Sequence, residues 1–182
     1  MHIVIDGYNF IQQSASLCSF NRFSLEEGRK ALFRFLMPYK KSRNHSITIV
    51  FDAWDSGNPF EERDSRHGME IIYSRRGRKA DDVIKELVDT KREKEILVVT
   101  SDREVAHYAV CRNATAVSSQ EFEQTVFRIL TVKQANDCSL PVHEKENEED
   151  DDHHPWRGGN KKGPSHKPSR RKRRFLNSVK KL

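Results

Sequence analysis

Cysteine is scarce in this sequence of 182 residues. Its three cysteines are Cys18, Cys111 and Cys138, and no two of them have CxxC spacing. Zinc-binding and thiol-redox motifs need such spacing, so the sequence contains neither. An odd number of cysteines without a disulfide framework is typical of a reducing compartment. We therefore expect a cytoplasmic protein rather than a secreted, disulfide-stabilised one.

Long apolar runs are also missing. No run approaches the roughly 20 residues of a membrane-spanning helix, and the first residues lack the basic segment and apolar core of a signal peptide. We therefore expect no membrane partner. The sequence also has no GxxxxGK[ST] phosphate loop and no DxDx[TV] nucleophile motif. A phosphatase or another phosphotransfer enzyme is therefore the last of the functions that we consider.

Charge is abundant and unevenly distributed. Charged residues make up 33% of the chain, and the formal net charge is +6. A basic balance favours a polyanionic partner such as nucleic acid. The segment after the apolar part of the chain has an acidic run, Glu144–Asp152, and then a basic one, Lys161–Arg174. Such blocks bury too little apolar surface to fold. We therefore predict one domain over residues 1–135 and a disordered acidic-then-basic tail over 136–182, with the basic part binding polyanions.

The apolar part of the chain alternates between two patterns. Short runs rich in Ile and Val predict buried strands at His2–Asp6, Ser46–Phe51, Met69–Tyr73, Glu95–Thr100 and Ala114–Val117. Helical spacing predicts helices from Ser24 to Pro38, over Asp81–Thr90, over Asp102–Cys111 and over Ser119–Leu130. Pro38 is expected to end or bend the first of these. The alternation predicts an α/β sandwich with a mainly parallel sheet.

Acidic residues follow the predicted strands. They are Asp6, with Asn9 three residues later, then Asp52, then Asp81 and Asp82, then Asp102. In parallel sheets, ligands bind outside the carboxyl ends of the strands. We therefore expect several of these acids to share one edge of the sheet.

Carboxylates that share one edge repel each other, and a divalent cation would compensate for the repulsion. Mg²⁺ prefers oxygen ligands and keeps several waters beside one or two carboxylates. A cation held in this way can activate a water for attack on a phosphodiester. The alternative for each acid is a turn or a helix N-cap, above all for Asp81 and Asp102. Acids after several strands of one small domain favour a shared site.

Five motifs occur in order along the same part of the chain. They are IVIDGYN at 3–9, VFDA at 50–53, ADD at 80–82, TSDR at 100–103 and SxxEF at 118–122. Together they resemble the YacP-like NYN domains of the PIN-like nuclease superfamily, over residues 2–132. The resemblance implies a PIN-like three-layer α/β/α sandwich with a central, mainly parallel sheet.

The resemblance also implies an activity, which is endoribonucleolytic hydrolysis of RNA with Mg²⁺ or Mn²⁺. Carried over to this sequence, it makes Asp6 the first metal-site acid and Asn9 its polar companion, which would orient a metal-bound water or a substrate phosphate. Asp81 and Asp102 become the further catalytic acids, with Asp82 as an additional metal ligand. The substrates that it suggests are mRNA and ribosome-associated RNA, most readily single-stranded.

One segment departs from the family pattern. Related sequences often have an acidic or hydroxyl residue just before ADD, whereas this chain has Arg78 and Lys79 there. The segment is either an RNA-binding surface beside the metal or an exposed basic loop, and the sequence favours neither. The residues predicted to contact RNA are Arg75, Arg76, Arg78, Lys79 and Arg103. Tyr8 and Trp54 have the chemistry to stack on a base, although we expect both to be partly packed.

The function predicted from the sequence is therefore that of a metal-dependent endoribonuclease. The alternative is a non-catalytic RNA- or ribosome-binding module that keeps the PIN-like fold. RNA binding that needs no metal and leads to no cleavage would favour the alternative.

Overall fold

A computed structural model describes residues 1–20, 24–53, 59–90 and 95–137. The predicted tail from residue 138 onward, Trp54 and Cys138 lie outside the described residues. The elements in chain order are β1 (His2–Asp6), α1 (Gly7–Gln13), α2 (Leu25–Ser42), β2 (Ser46–Phe51), β3 (Glu62–Arg66), β4 (Met69–Tyr73), α3 (Ala80–Thr90), β5 (Ile96–Val99), α4 (Arg103–Cys111), β6 (Thr115–Val117) and α5 (Ser119–Asp137).

The strands form one six-stranded sheet in the order β3-β4-β2-β1-β5-β6. Every pairing is parallel except that of β3 with β4, which is antiparallel. All five residues of β1 are buried, as expected for a central strand that helices cover on both faces. The five predicted strands and the mainly parallel sheet are confirmed.

Helices cover the two faces of the sheet. On one face α1, α2 and α5 pack through Phe10, Leu32 and Phe122 against a core that includes Ile5. On the other face α3 and α4 pack against a second core that includes Val4. Successive residues of β1 thus point to opposite cores, as a strand requires, and the three-layer α/β/α sandwich is confirmed. None of the described helices is long and apolar enough to cross a membrane.

Two elements were not predicted from the sequence. Strand β3 has the sequence ERDSR and is exposed along its whole length, so it lacks the apolar alternation by which strands are identified. It is an edge strand, where charged residues discourage pairing with other chains. Helix α1 has only seven residues, and that is too short for a clear helical period.

Pro38 was expected to end or bend the helix, and the first of these alternatives is wrong, because α2 continues through Pro38 to Ser42. The residue after this proline explains the continuation. Tyr39 is fully buried, and its hydroxyl lies 2.9 Å from Nδ1 of His45. Tertiary contacts of the last turn therefore offset the backbone hydrogen bond that proline cannot donate. The predicted cap is confirmed, since Oγ of Ser24 accepts a hydrogen bond from the Glu27 amide at 3.0 Å.

Candidate active site

Four aspartates lie at the carboxyl edge of the sheet. Asp6 is the last residue of β1, Asp52 follows β2, and Asp102 follows β5 by three positions, while Asp81 lies in the first turn of α3. Their charges act on each other, since Asp81 interacts with Asp6, Asp52 and Asp102. The structure therefore brings together the three acids that were predicted to be catalytic, and Asp52 with them. We refer to these four residues as the acid cluster.

Asp6 is the most buried member of the acid cluster, with an exposed fraction of 6%. Its Oδ1 accepts a hydrogen bond from the Asn9 amide at 3.3 Å, and its Oδ2 accepts one from the Thr100 hydroxyl at 3.2 Å. Burial raises the pKa of Asp6 to about 7, and the charges of Asp81 and Asp52 add to this shift, while the two hydrogen bonds oppose it. Asp6 therefore lies in a place that favours nearby positive charge.

Asp81 shows the same tendency at a more exposed position. Burial raises the pKa of its carboxyl, and the charges of Asp102 and Asp52 raise it further. Lys85 and Lys79 lower it without offsetting the other effects. The crowding of carboxylates is thus a property of the edge as a whole, and not of Asp6 alone.

Asp102 and Asp52 also have structural roles. Oδ1 of Asp102 accepts hydrogen bonds from the amides of Glu104 at 2.7 Å and Val105 at 3.1 Å, so Asp102 is the N-cap of α4. Oδ1 of Asp52 accepts a hydrogen bond from the amide of Ala80, the first residue of α3. The capping alternative is therefore correct for Asp102, although the cap uses only one of its two carboxylate oxygens, Oδ1.

Asn9 joins three segments beside the acid cluster. Its Oδ1 accepts hydrogen bonds from the Ser101 amide at 2.9 Å and from the Ser119 hydroxyl at 3.3 Å. The carbonyl oxygen of this side chain thus holds the start of α1 against the segment after β5 and the start of α5. Its backbone amide contacts Asp6, so the structure gives Asn9 a positioning role, while its catalytic role stays a prediction.

The sequence did not predict that hydroxyl side chains belong to the site. Thr100 donates to Asp6, and its Oγ1 accepts a hydrogen bond from the Asp102 amide at 3.1 Å, so it links two acids. Ser101 and Ser119 contact each other, with 3.3 Å between their hydroxyl oxygens. The available signal was a pair of hydroxyl residues directly after β5, but only the fold shows which oxygen each one meets.

Asp82 is not part of the acid cluster. It is exposed, and its charge acts on Arg78 and Lys85, whose pKa values it helps to raise. Its predicted role as a metal ligand therefore stays a prediction without a contact to support it.

The predicted RNA-binding residues differ in whether they already form ion pairs with carboxylates of the protein. Arg78 forms ion pairs with Glu86 and, at 3.5 Å, with Glu61. The other four are exposed and form no ion pair within the described part of the chain; they are Arg75, Arg76, Lys79 and Arg103. The basic segment therefore offers cations at the surface near α3, while Arg78 stabilises the segment itself.

A glycine is required between Asp6 and Tyr8. A Cβ atom at Gly7 would lie 2.3 Å from Cε1 of Phe51, a buried side chain of the core. Such a distance is far inside van der Waals contact, so glycine is needed for the start of α1 to lie this close to the ring of Phe51. The motif DGYN thus combines an acid, a close approach and an aromatic side chain within four positions.

The chemistry of the acid cluster fits a divalent cation. The carboxylates of Asp81 and Asp52 act on Asp6, and the Thr100 hydroxyl contacts it, so the groups around it include the oxygen ligands that hard cations such as Mg²⁺ prefer. Within the described ranges, no three His, Cys, Asp or Glu side chains are placed so that they could hold a metal ion together. Mg²⁺ commonly takes one or two protein carboxylates and completes its shell with waters. The residues present fit a hydrated cation better than a fully protein-enclosed one.

The three-layer fold with acids at the carboxyl edge of its sheet defines a nuclease-like α/β/α domain. Residues 3–157 match the YacP-like NYN domain family, and the chain belongs to this family. Membership indicates a nuclease-like function related to RNA, and domains of this type generally use divalent metals.

Known proteins show the same relationship. The uncharacterized protein YacP of Bacillus subtilis (strain 168) is 28% identical over 102 residues, which are 55% of this chain and 59% of that protein. A crystal structure of a mutant of Rae1 (YacP) from Bacillus subtilis matches with a TM-score of 0.63 and 23% identity, over 78% of this chain and 86% of that one. A second crystal structure of Rae1 (YacP) matches with a TM-score of 0.58 and 25% identity, over 75% and 79%.

Proposed function

We propose that this protein is a metal-dependent endoribonuclease that hydrolyses phosphodiester bonds of single-stranded RNA, with mRNA or ribosome-associated RNA as its substrate. The observation that carries the proposal is the burial of the Asp6 carboxyl close to other acids. A nearly buried carboxyl with a pKa raised to about 7 is costly to ionise. Groups perturbed in this way are concentrated at functional sites, where a ligand repays the cost.

The acid cluster supplies the ligands that this activity needs. One or two of the carboxylates of Asp6, Asp81 and Asp102 would bind Mg²⁺ or Mn²⁺ directly, and the remaining acid would reach the ion through its waters. The bound ion would polarise a phosphodiester and lower the pKa of an attacking water. Thr100 fixes the orientation of the Asp6 carboxylate through its hydroxyl. Asn9 holds the neighbouring segments in register and thereby keeps the acids at their separation.

Exposed cations near the edge support RNA as the substrate. Arg75, Arg76, Lys79 and Arg103 are free of carboxylate partners in the described structure, so phosphates would not have to displace one. Contacts of this kind bind RNA without regard to sequence. The acids therefore account for chemistry, and the cations account for substrate retention.

The test compares cleavage of a single-stranded RNA by the wild type, Asp6→Asn and Asp64→Asn, each with Mg²⁺ and with Mn²⁺. Asp64→Asn is the matched control, because Asp64 lies on the exposed edge strand β3, where it forms an ion pair with Arg66 and accepts a hydrogen bond from the Ser65 amide. We expect Asp6→Asn to lose at least about 100-fold in rate, which corresponds to about 2.7 kcal/mol of barrier. Asp64→Asn should cleave like the wild type.

Two results would contradict the proposal. Equal cleavage by the wild type and Asp6→Asn would remove Asp6 from the chemistry. RNA binding that needs no metal, without cleavage in any buffer, would favour the non-catalytic RNA- or ribosome-binding module.

A further inference from the structure

An aromatic group borders the acid cluster on the side of β2 and β4. The ring of Tyr8 lies 5.0 Å from that of Phe51, and Phe51 stacks on Tyr73 with 5.7 Å between the ring centroids. Phe51 and Tyr73 are the last residues of their strands, and Tyr8 comes two positions after Asp6. The three rings therefore lie at the carboxyl edge of the sheet, directly beside the acids.

Arg29 of α2 completes this group. Its guanidinium carbon lies 5.6 Å from the centroid of the Tyr73 ring, and its Nε donates to the carbonyl of Leu25 at 3.3 Å. Its charge is close enough to Tyr8 to lower the pKa of that phenol against the effect of burial. Tyr8, Tyr73 and Arg29 thus converge on one place from three different elements.

Apart from the hydrogen bond from Nε of Arg29 to Leu25, the polar ends of these side chains have no partner within the described residues. Within the described structure, Arg29 forms no ion pair, and the hydroxyls of Tyr8 and Tyr73 form no hydrogen bond. Arg34 is the contrast, since it lies on the same helix and pairs with Glu27 at 3.7 Å. The charge of Arg29 helps to lower the pKa of the exposed Glu26, but no carboxylate of the described residues lies within ion-pair distance of it. A partly buried arginine that is held against an aromatic ring in this way is suited to an external anion.

Phosphate is the anion that fits. A guanidinium binds phosphate oxygens through parallel N–H donors, and two phenols add neutral O–H donors. The Tyr73 ring is already in contact with both Phe51 and Arg29, so its hydroxyl is the part left for a ligand. The negative charge of the acid cluster also repels the phosphates of an RNA strand that approaches it. A cation at the border of the cluster offsets this repulsion.

We propose that Arg29, with the hydroxyls of Tyr8 and Tyr73, binds one backbone phosphate of the RNA strand beside the acid cluster. This inference rests on the proposed function, because it assigns a subsite to the same RNA. The phosphate lies next to the β2 and β4 ends, so it belongs to a nucleotide that flanks the scissile bond. The exposed basic segment near α3 binds elsewhere on the strand.

The test measures binding of a single-stranded 2′-O-methyl RNA, which resists cleavage, to the full chain by fluorescence anisotropy at several salt concentrations. Arg29→Met keeps the aliphatic contact with Tyr73 and removes the charge. We expect about 5- to 10-fold weaker binding. The slope of the logarithm of the binding constant against the logarithm of the salt concentration should also be smaller in magnitude by about 0.7, as for one lost phosphate contact on a single strand. Arg34→Met, the matched control on α2, should change the affinity less than about two-fold.

Neutral methylphosphonates, placed at one position at a time in the same oligonucleotide, identify the phosphate. In the wild type one position should weaken binding by about the same factor as Arg29→Met, and in Arg29→Met that position should have no further effect. Tyr8→Phe and Tyr73→Phe should each weaken binding about two- to three-fold. Unchanged binding by Arg29→Met, or additive losses at every position, would overturn the proposal.

The outcome separates this inference from the proposed function. If Arg29→Met binds like the wild type while metal-dependent cleavage is present, the subsite is wrong and the enzyme stands. If Arg29 proves necessary for binding while no buffer supports cleavage, the subsite stands and the enzyme is wrong.

Discussion

Two nearly buried carboxylates lie in different regions of this domain and experience opposite environments. Asp6 is 6% exposed at the carboxyl edge of the sheet, and Glu123 is 4% exposed on α5. Glu123 accepts hydrogen bonds from the hydroxyls of Ser14, at 2.6 Å, and Ser16, and from the amides of Ala15 at 3.1 Å and Ser16 at 3.2 Å. From the described residues Asp6 accepts two hydrogen bonds, at 3.3 and 3.2 Å.

The pKa values of the two carboxyls shift in opposite directions as a result. Burial raises the pKa of both, but the donors around Glu123 outweigh burial and bring its pKa below the ordinary value. Around Asp6 the charges of Asp81 and Asp52 act in the same direction as burial. Burial alone therefore does not mark a functional acid. The distinguishing feature is whether the protein itself supplies the donors or leaves them to a ligand.

Glu123→Gln should produce the largest change in stability. Its amide would place N–H groups against donors that now meet a carboxylate, so the segment from Ser14 to Ser16 would lose its attachment to α5. We expect a loss of about 3 kcal/mol in the free energy of unfolding. Denaturant unfolding monitored by circular dichroism measures the loss.

Glu104→Gln is the matched control for this prediction. Glu104 has an 81% exposed side chain that pairs with Lys85, and such pairs contribute less than about 1 kcal/mol. A loss no larger in Glu123→Gln than in Glu104→Gln would mean that Glu123 is not a structural anchor, and the contrast with Asp6 would disappear.

The sequence was sufficient to predict one side of this comparison. Continuous apolar runs identified β1, β2, β4, β5 and β6, and the rule for carboxyl ends of parallel strands then placed Asp6, Asp81 and Asp102 on one edge. Each step used only local pattern and general topology. Prediction failed where the pattern was absent, as in the fully exposed β3.

The other side of the comparison depends on contacts between distant parts of the chain. Ser14 and Glu123 are 109 residues apart in the sequence, and Asn9 and Ser101 are 92 apart. Nothing local distinguishes Glu123 from the exposed Glu121 on the same helix, and nothing local shows that Arg29 lies over Tyr73. Residue types and spacing indicate which groups are available, but only the packed helices show which donor meets which acceptor.

Asp6→Asn should have the opposite effect on stability and should stabilise the protein in the absence of divalent metal. The substitution removes a buried charge beside Asp81 and Asp52, and its side-chain oxygen can still accept from the Asn9 amide. Each unit of pKa shift corresponds to about 1.4 kcal/mol, and after relaxation we expect a gain of about 2 kcal/mol. Thermal unfolding with a chelator present measures it.

Addition of Mn²⁺ makes the same comparison more specific. Wild-type protein should become more stable as Mn²⁺ increases, because a ligand that binds only the folded state stabilises it. Asp6→Asn should respond weakly, and Asp64→Asn should respond like the wild type. A loss of stability in Asp6→Asn without metal would show that the carboxylate is satisfied by the protein, as Glu123 is.

The change in the free energy of unfolding with pH should be the smallest of these effects. It should also distinguish the carboxyl of Asp6 from that of Glu123 most clearly. The folded pKa of Asp6 lies above its ordinary value of 3.8, at about 7, so the unfolded chain loses this proton first. The advantage of Asp6→Asn over the wild type should therefore be near zero below pH 3.8, grow as the pH rises, and level off above about 7.

The folded pKa of Glu123 lies below its ordinary value of 4.5, so the advantage of wild type over Glu123→Gln should be complete above that pH and fall below it. Neither slope can exceed about 1.4 kcal/mol per pH unit, the limit for one proton. Urea unfolding of the three proteins across this range, in chelator, measures both slopes, and a flat difference for Asp6→Asn between pH 3.8 and 7 would show that its carboxyl ionises normally despite its burial.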